Sequence, residues 1–360
     1  MKNGLFVDDV KKSFKRIPAK VRTLPWLGST ERYLGARNPG KLEFPEYTSS
    51  IENELGLGEH FQGIQRIGQH LVVSGGIKTG QRRSQLILIK MESQNDNGPW
   101  ALPSYGFNYK NPSPKDRIVR VKDVDYAKWH AGGIQALGNF VAIPVYGDGN
   151  GSEIRFYELN SQNDDLDERP NLTIKKAATE SKAVAITQLA NGHFMLMSWD
   201  DATLQFHYNA SSEFANGFPQ EADAIVHRSE VQDNFQPGEN GISGGGTYQS
   251  LNLVVDKNDV ALGNNRAYLI AARNSEKASP TLAGKNYLDL YELDWADSHT
   301  SKPVISRVDH REFFCYNQQS NFGAGAGIYV DDEQHLFLYG ASHWLHGGNS
   351  RYNFNEYSYV

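Results

Sequence analysis

One eight-residue pattern recurs in the first half of the chain. Phe61-Gln62-Gly63-Ile64-Gln65-Arg66-Ile67-Gly68 is matched by Ala131-Gly132-Gly133-Ile134-Gln135-Ala136-Leu137-Gly138. The match continues beyond it. A second apolar run follows in each copy, His70–Gly75 and Phe140–Val145, then a third, Ser84–Ile89 and Ser152–Leu159, and a fourth, Arg117–Val121 and Asn171–Ile174. Runs of this length and composition, bounded by polar turns, are strands rather than helices.

Weaker copies follow. One combines Ala183–Ile186, Phe194–Met197, Leu204–Tyr208 and Ala224–Val226; the next combines Leu251–Val255, Tyr268–Ile270, Tyr287–Tyr291 and Val304–Ser306. The last has Gly327–Val330, Leu336–Tyr339 and Asn353–Tyr357, and the chain ends before its fourth strand. Ile64, Ile134, Ile186, Leu251 and Ala326 mark the repeats at a mean interval of 65.5 residues. Length alone would allow two or three domains in 360 residues, but repetition replaces that count with one array. Composition agrees: 17 Phe, 18 Tyr and 6 Trp beside 34 Gly and 14 Pro favour short strands and turns over a helical bundle.

A four-stranded repeat without helix-length segments between its strands resembles the five-bladed β-propeller class over roughly residues 20–360. The resemblance implies an all-β, five-bladed β-propeller of four-stranded antiparallel blades. An N-terminal strand, Lys41–Phe44 or Lys20–Thr23, would supply the missing fourth strand and close the ring. The alternative is a pair of two-sheet sandwiches, which predicts fewer than five copies. The expected organisation is an N-terminal extension over 1–24 and a single propeller domain over 25–360. In that extension Phe6, Val10, Phe14, Ile17 and Val21 share a helical face, with Lys11, Lys12, Lys15, Arg16 and Lys20 elsewhere. This predicts a short basic amphipathic helix that Pro18 ends or kinks. It would pack on the propeller rim or serve a membrane surface or protein partner.

A net charge of −6 argues against a nucleic-acid binder. The single cysteine, Cys315, excludes a disulfide framework and paired-Cys zinc sites. The longest apolar runs are too short for a transmembrane segment. The N-terminus lacks the apolar core of a signal peptide, so the expected location is cytoplasmic, or secreted if a leader has been removed.

In a propeller, the residues before each innermost strand and the loops joining second to third strands share one face. Here they bring His60, Trp129, His130, Lys182, Gln249, Ser250 and Gln319 to Asn321 together with Lys78, Arg82, Arg83, Asp148, Asn150, Trp199, Asp200, Asp201, Arg273, His343, Trp344, His346 and Arg351. Such a mixture suits a small polar or anionic ligand, or a peptide terminus. The expected ligand contacts are His60, Gln65, His130, Gln135, Lys182, Trp199, Asp200, Asn321, His343 and Trp344. His60 and His130 stand four residues before their repeat isoleucines, and with His346 they would hold a divalent metal ion; the alternative is hydrogen-bonded structural histidines. Gln65 and Gln135 would either tie inner strands together or touch ligand. A hydrolase or lyase using a histidine in this pocket is the alternative to a binding module, and an interaction scaffold is a third reading. The inner strands supply no suitably placed carboxylates, which disfavours the glycosidase layout in which those strands carry the acid and base, though Glu59, Asp200 and Asp201 remain available from loops. Gly241-Ile242-Ser243-Gly244-Gly245 matches a nucleophile elbow only by letter, and the loop from Glu230 to Tyr248 would overhang the pocket.

Overall fold

The chain is described by a computed structural model over residues 5–17, 22–24, 32–34, 36–43, 60–77, 82–90, 117–149, 151–232, 248–262, 266–274, 285–296, 298–313, 322–341 and 351–357. Its N-terminal part holds β1 (Phe6–Val7), α1 (Val10–Arg16), β2 (Arg22–Leu24), β3 (Arg32–Leu34) and β4 (Ala36–Glu43). Strands β5 (His60–Ile67), β6 (His70–Ile77), β7 (Arg83–Lys90) and β8 (Arg117–Asp125) form a first antiparallel sheet. The second contains β9 (His130–Ala131), β10 (Gln135–Leu137), β11 (Phe140–Tyr146), β12 (Ser152–Asn160), β13 (Asp165–Glu168) and β14 (Ile174–Lys176). The third is β15 (Ala183–Gln188), β16 (Phe194–Trp199), β17 (Thr203–Asn209) and β18 (Ala224–His227). β19 (Ser250–Asp256), helix α2 (Lys257–Leu262), β20 (Arg266–Asn274), β21 (Asn286–Asp294) and β22 (Val304–Phe313) build the fourth, to which β1 adds in parallel beside β19. The fifth is β23 (Ala326–Val330), β24 (Leu336–Ala341) and β25 (Arg351–Tyr357), completed by β4. Asn353 pairs with Lys41 there, so the candidate closing strand at Lys41 falls inside β4, whereas Arg22 and Thr23 belong to a separate hairpin of β2 and β3.

This is a β-propeller arrangement, and its core lies between sheets rather than within one. Val72, Leu86 and Leu88 of the first sheet meet Ile134, Val141 and Ile143 of the second. Phe156 and Ile174 meet Phe194 and Leu196 of the third, and Trp199 and Phe206 meet Leu251 and Trp295 of the fourth. Ile270 and Leu290 then meet Ile328 and Leu338 of the fifth, whose Phe337 and Tyr339 return to Leu71 and Val73 of the first. Inner and middle strands are thus covered on both faces. That is why they read as continuous apolar runs such as Leu71-Val72-Val73 instead of alternating.

Inner strands touch directly at the axis, and the duplicated glycine and glutamine explain how. A Cβ on Gly133 would lie 2.0 Å from the Gln249 carbonyl oxygen, and one on Gly327 would lie 1.7 Å from that of Ile64, so only glycine admits the neighbouring backbone. Gly133 donates to the Lys182 carbonyl at 2.9 Å. The buried Gln135 amide accepts from Ile186 N at 2.7 Å and Leu253 N at 2.8 Å and donates to Leu253 O at 2.9 Å, joining the second, third and fourth sheets. Gln65 donates to Asn252 Oδ1 at 2.7 Å, and that oxygen also accepts from Ile328 N. Both glutamines therefore act as ties between inner strands.

Two local expectations are corrected. Asn171–Ile174 is not one strand: Pro170–Leu172 forms a 3-10 turn, and the outer edge of the second sheet is split between β13 and β14. Pro170 cannot donate to a ladder, which breaks the strand at that point. The amphipathic helix is also shorter than its pattern, because Phe6 and Val7 pair with Val255 and Asp256 as strand. Asp9 caps α1 by accepting from Lys12 N, while Asp256 accepts from Val10 N, both at 2.8 Å. Ile17, before Pro18, is extended and ends the helix. Val10, Phe14 and Ile17 are buried between the fourth and fifth sheets, and Lys11 pairs with Glu292 at 2.6 Å. The helix is docked on the propeller by its apolar face.

Candidate functional site

The face where β9 and β15 begin and β11 and β16 end collects the best-defined group of polar side chains predicted from sequence. His130 opposes Tyr146 across β9 and β11. Its ring packs edgewise on Tyr146 at 4.4 Å and on Trp129 at 4.8 Å between centroids, giving a mostly buried aromatic row. Trp129 Nε1 donates to Asp148 at 3.4 Å, and Asp148 is salt-bridged to Arg82, the residue before β7.

In the third sheet Lys182 stands just before β15 and Asp201 just after β16, and their side chains form an ion pair. Asp148 and Asp201 occupy corresponding loops of adjacent sheets, and both have left-handed backbones, with φ of 55° and 72°. Aspartate is one of the few residues that tolerates this region, which is enriched at functional loops. Glu180, in the segment that leads into β15, joins the Asp148 loop by accepting from Gly149 N at 3.0 Å. The Tyr146 hydroxyl donates to Gln62 Oε1 at 3.4 Å. Burial pushes its pKa well above the ordinary value, and the carboxylates of Asp201 and Glu180 push it further, so it stays a protonated donor. The result is three carboxylates, two cations, a phenol and an indole on one face.

Other expected contacts are placed differently. Trp199 is wholly buried between the third and fourth sheets, because it lies on the face of β16 shared with Met195 and Met197. Asp200 turns back on its own loop and accepts from Ala202 N, Thr203 N, Thr203 Oγ1 and Gln205 Nε2. Its neighbour Asp201 is the one that meets Lys182. Gln65 and Gln135 are spent on axial ties. The backbone of His60 pairs with Gly76, while its side chain, Asn321, His343, Trp344 and His346 lie outside the described residues. Of the histidines expected to hold a metal, only the His130 ring is described, and it packs between the two aromatic rings. The elbow-like glycine loop also lies outside the described residues. Among the described residues, the donor atoms of Asp331, Glu333 and His335 gather within 4.8 Å in the turn between β23 and β24, at the opposite end of the strands. There Asp331 already accepts from His335 N at 2.7 Å. Sequence reading missed Glu180 and Tyr146, which become polar members of the face only through the meeting of adjacent loops.

No family model matches the chain, and no curated protein matches it. Similar solved structures include a hypothetical protein from Leishmania major, with TM-score 0.38 and 11% identity, covering 97% of this chain and 93% of that one. A mannose phosphorylase from Leishmania mexicana, in complex with phosphate ion, has TM-score 0.38 and 12% identity, covering 97% and 92%. A GH43_1 enzyme from Xanthomonas citri complexed with xylose has TM-score 0.44 and 7% identity, covering 84% and 88%.

Proposed function

We propose that the chain is a five-bladed propeller that binds a small, hydroxyl-rich ligand of saccharide type on the face formed by Trp129, Tyr146, Asp148, Lys182 and Asp201. The observation that carries this reading is the matched pair of left-handed aspartates, each salt-bridged, flanking a buried tyrosine that remains a donor. Alternating acceptors and donors beside an indole suit vicinal hydroxyl groups and an apolar ring face. Calorimetry of the full chain against a panel of neutral mono- and disaccharides tests it. Saturable binding to a panel member, weakened about tenfold or more by Asp201→Asn with an unchanged circular dichroism spectrum, supports the reading. Binding indifferent to Asp201→Asn refutes it.

A hydrolase acting on the same ligand is the second reading, favoured by the gathering of Asp148, Glu180 and Asp201, since glycoside cleavage uses a pair of carboxyl groups. Turnover of aryl glycosides that is lost in Asp148→Asn or Asp201→Asn would establish it. Binding without turnover leaves the first reading standing alone.

A further inference from the structure

A second polar cluster sits in the fourth sheet, well out from the axis. Asp289, in the middle of β21, is completely buried. Its Oδ2 accepts from Arg273 Nε at 3.0 Å and from the Tyr248 hydroxyl at 2.7 Å, and the latter also touches the Tyr291 hydroxyl at 2.8 Å. Its Oδ1 is met by His310 Nδ1 and, at 3.7 Å, by the Arg307 guanidinium. Burial alone would raise the Asp289 carboxyl, but these donors outweigh it and hold it below the usual range.

Arg307 and His310 are three residues apart on β22, a spacing that places side chains on opposite faces of a regular strand. Here a bulge between Leu290 and Tyr291 sets Arg307 opposite Tyr291, Asp309 opposite Leu290 and His310 opposite Asp289. The extra residue, Val308, brings Arg307 and His310 onto one face, over the same carboxylate. Bulges of this kind re-aim side chains and are enriched beside functional sites. The two side chains remain partly exposed, at 28% and 37%. Among the described residues, the Arg307 side chain makes no hydrogen bond and His310 Nε2 meets no partner. The Tyr287 ring lies 4.8 Å from that of His310, tilted to it, and 4.6 Å from the Arg273 guanidinium.

A buried acid that fixes one nitrogen of an imidazole leaves the other aimed outward. Beside it stands a guanidinium with unused donors, and three basic side chains surround a single carboxylate. We propose that Arg307 and His310 form a binding site for an oxyanion group of a ligand, a phosphate or carboxylate, with Asp289 as the buried positioning residue. Guanidinium and imidazole nitrogens then share the anion's oxygens, as charge-assisted bonds favour. This site uses none of the residues of the group around Tyr146 and stands or falls independently of it.

The test is calorimetric titration of the full chain with inorganic phosphate and, separately, with acetate, on the wild type and on Arg307→Gln, His310→Gln and Arg169→Gln. Arg169, an exposed partner of Glu158 in another sheet, controls for general surface charge. The expected result is saturable binding of at least one anion, weakened about tenfold or more in both edge variants and unchanged in the control. Preference between phosphate and acetate identifies which oxyanion the site takes. Absence of saturable binding, or equal loss in Arg169→Gln, overturns the proposal.

Discussion

Gln135→Leu probes the ties that hold the inner strands. The side chain is completely buried and makes three hydrogen bonds to two other sheets. Leucine nearly matches its size, so little cavity forms, but the N–H groups of Ile186 and Leu253 lose their acceptor in a dry interior. Each such orphan costs about 1–3 kcal/mol. Allowing for about 1–2 kcal/mol regained from the more apolar side chain, the net loss is about 1–4 kcal/mol. That is a large share of the roughly 5–15 kcal/mol that holds a folded protein together. With a urea slope of about 3 kcal/mol per molar, the unfolding midpoint falls by up to about 1 M. The comparator is Gln188→Leu, whose amide serves a hairpin by donating to Gly192 O and which changes stability by less than about 0.5–1 kcal/mol. Urea titrations followed by circular dichroism measure both. A loss below about 1 kcal/mol for Gln135→Leu, or one equal to the comparator's, would refute the reasoning.

Three further outcomes are expected. Gly327→Ala places a Cβ against Ile64 O and 2.9 Å from Gln65 Nε2, and is expected to cost at least about 2 kcal/mol by the same titration, or to abolish soluble folded yield. Burial pushes the His207 imidazole down to about 4, so the unfolded chain binds its proton first as pH falls. Its contribution is intact above the ordinary histidine range near 6.5 and is lost progressively toward pH 4, on the order of 3 kcal/mol in all; His207→Gln should flatten that slope between pH 7 and 4.5. Asp256→Asn weakens the cap on Val10 N, and limited proteolysis should then cut the N-terminal segment faster with little change in the midpoint.

The repeat made the sheets legible because four strands per unit leave a periodic apolar trace, and the Gly-Ile-Gln signature marked the positions where backbone meets backbone. What stayed hidden depended on contacts between distant segments. Lys176 reads as an ordinary basic residue on an edge strand. Its amine nevertheless enters the interface to bond Ser198 Oγ at 2.5 Å and Gln205 Oε1 at 2.7 Å, and burial pulls its pKa down to about 8. The two-residue β1 is too short for any periodicity to reveal. Of the candidate face, Trp129, His130, Asp148, Lys182 and Asp201 were readable as loop residues at corresponding places in successive repeats. Trp199 was not separable from them, because a strand's last residue belongs to core or solvent according to the pleat, and only the register of β16 decides. The Arg307 and His310 pair was unreadable for a related reason: a bulge changes which side chains share a face without leaving a mark in the hydrophobic pattern.

The central claim is that one face of the propeller, built around Tyr146 and the Asp148 and Asp201 loops, receives a hydroxyl-rich ligand. Saturation-transfer NMR on the full chain with mixed neutral saccharides, repeated on the Asp148→Asn/Asp201→Asn double variant, tests it most directly. The expected result is transfer to a subset of the saccharides in the wild type and its loss in the variant. Transfer that survives in the double variant, or none in either protein, would contradict it.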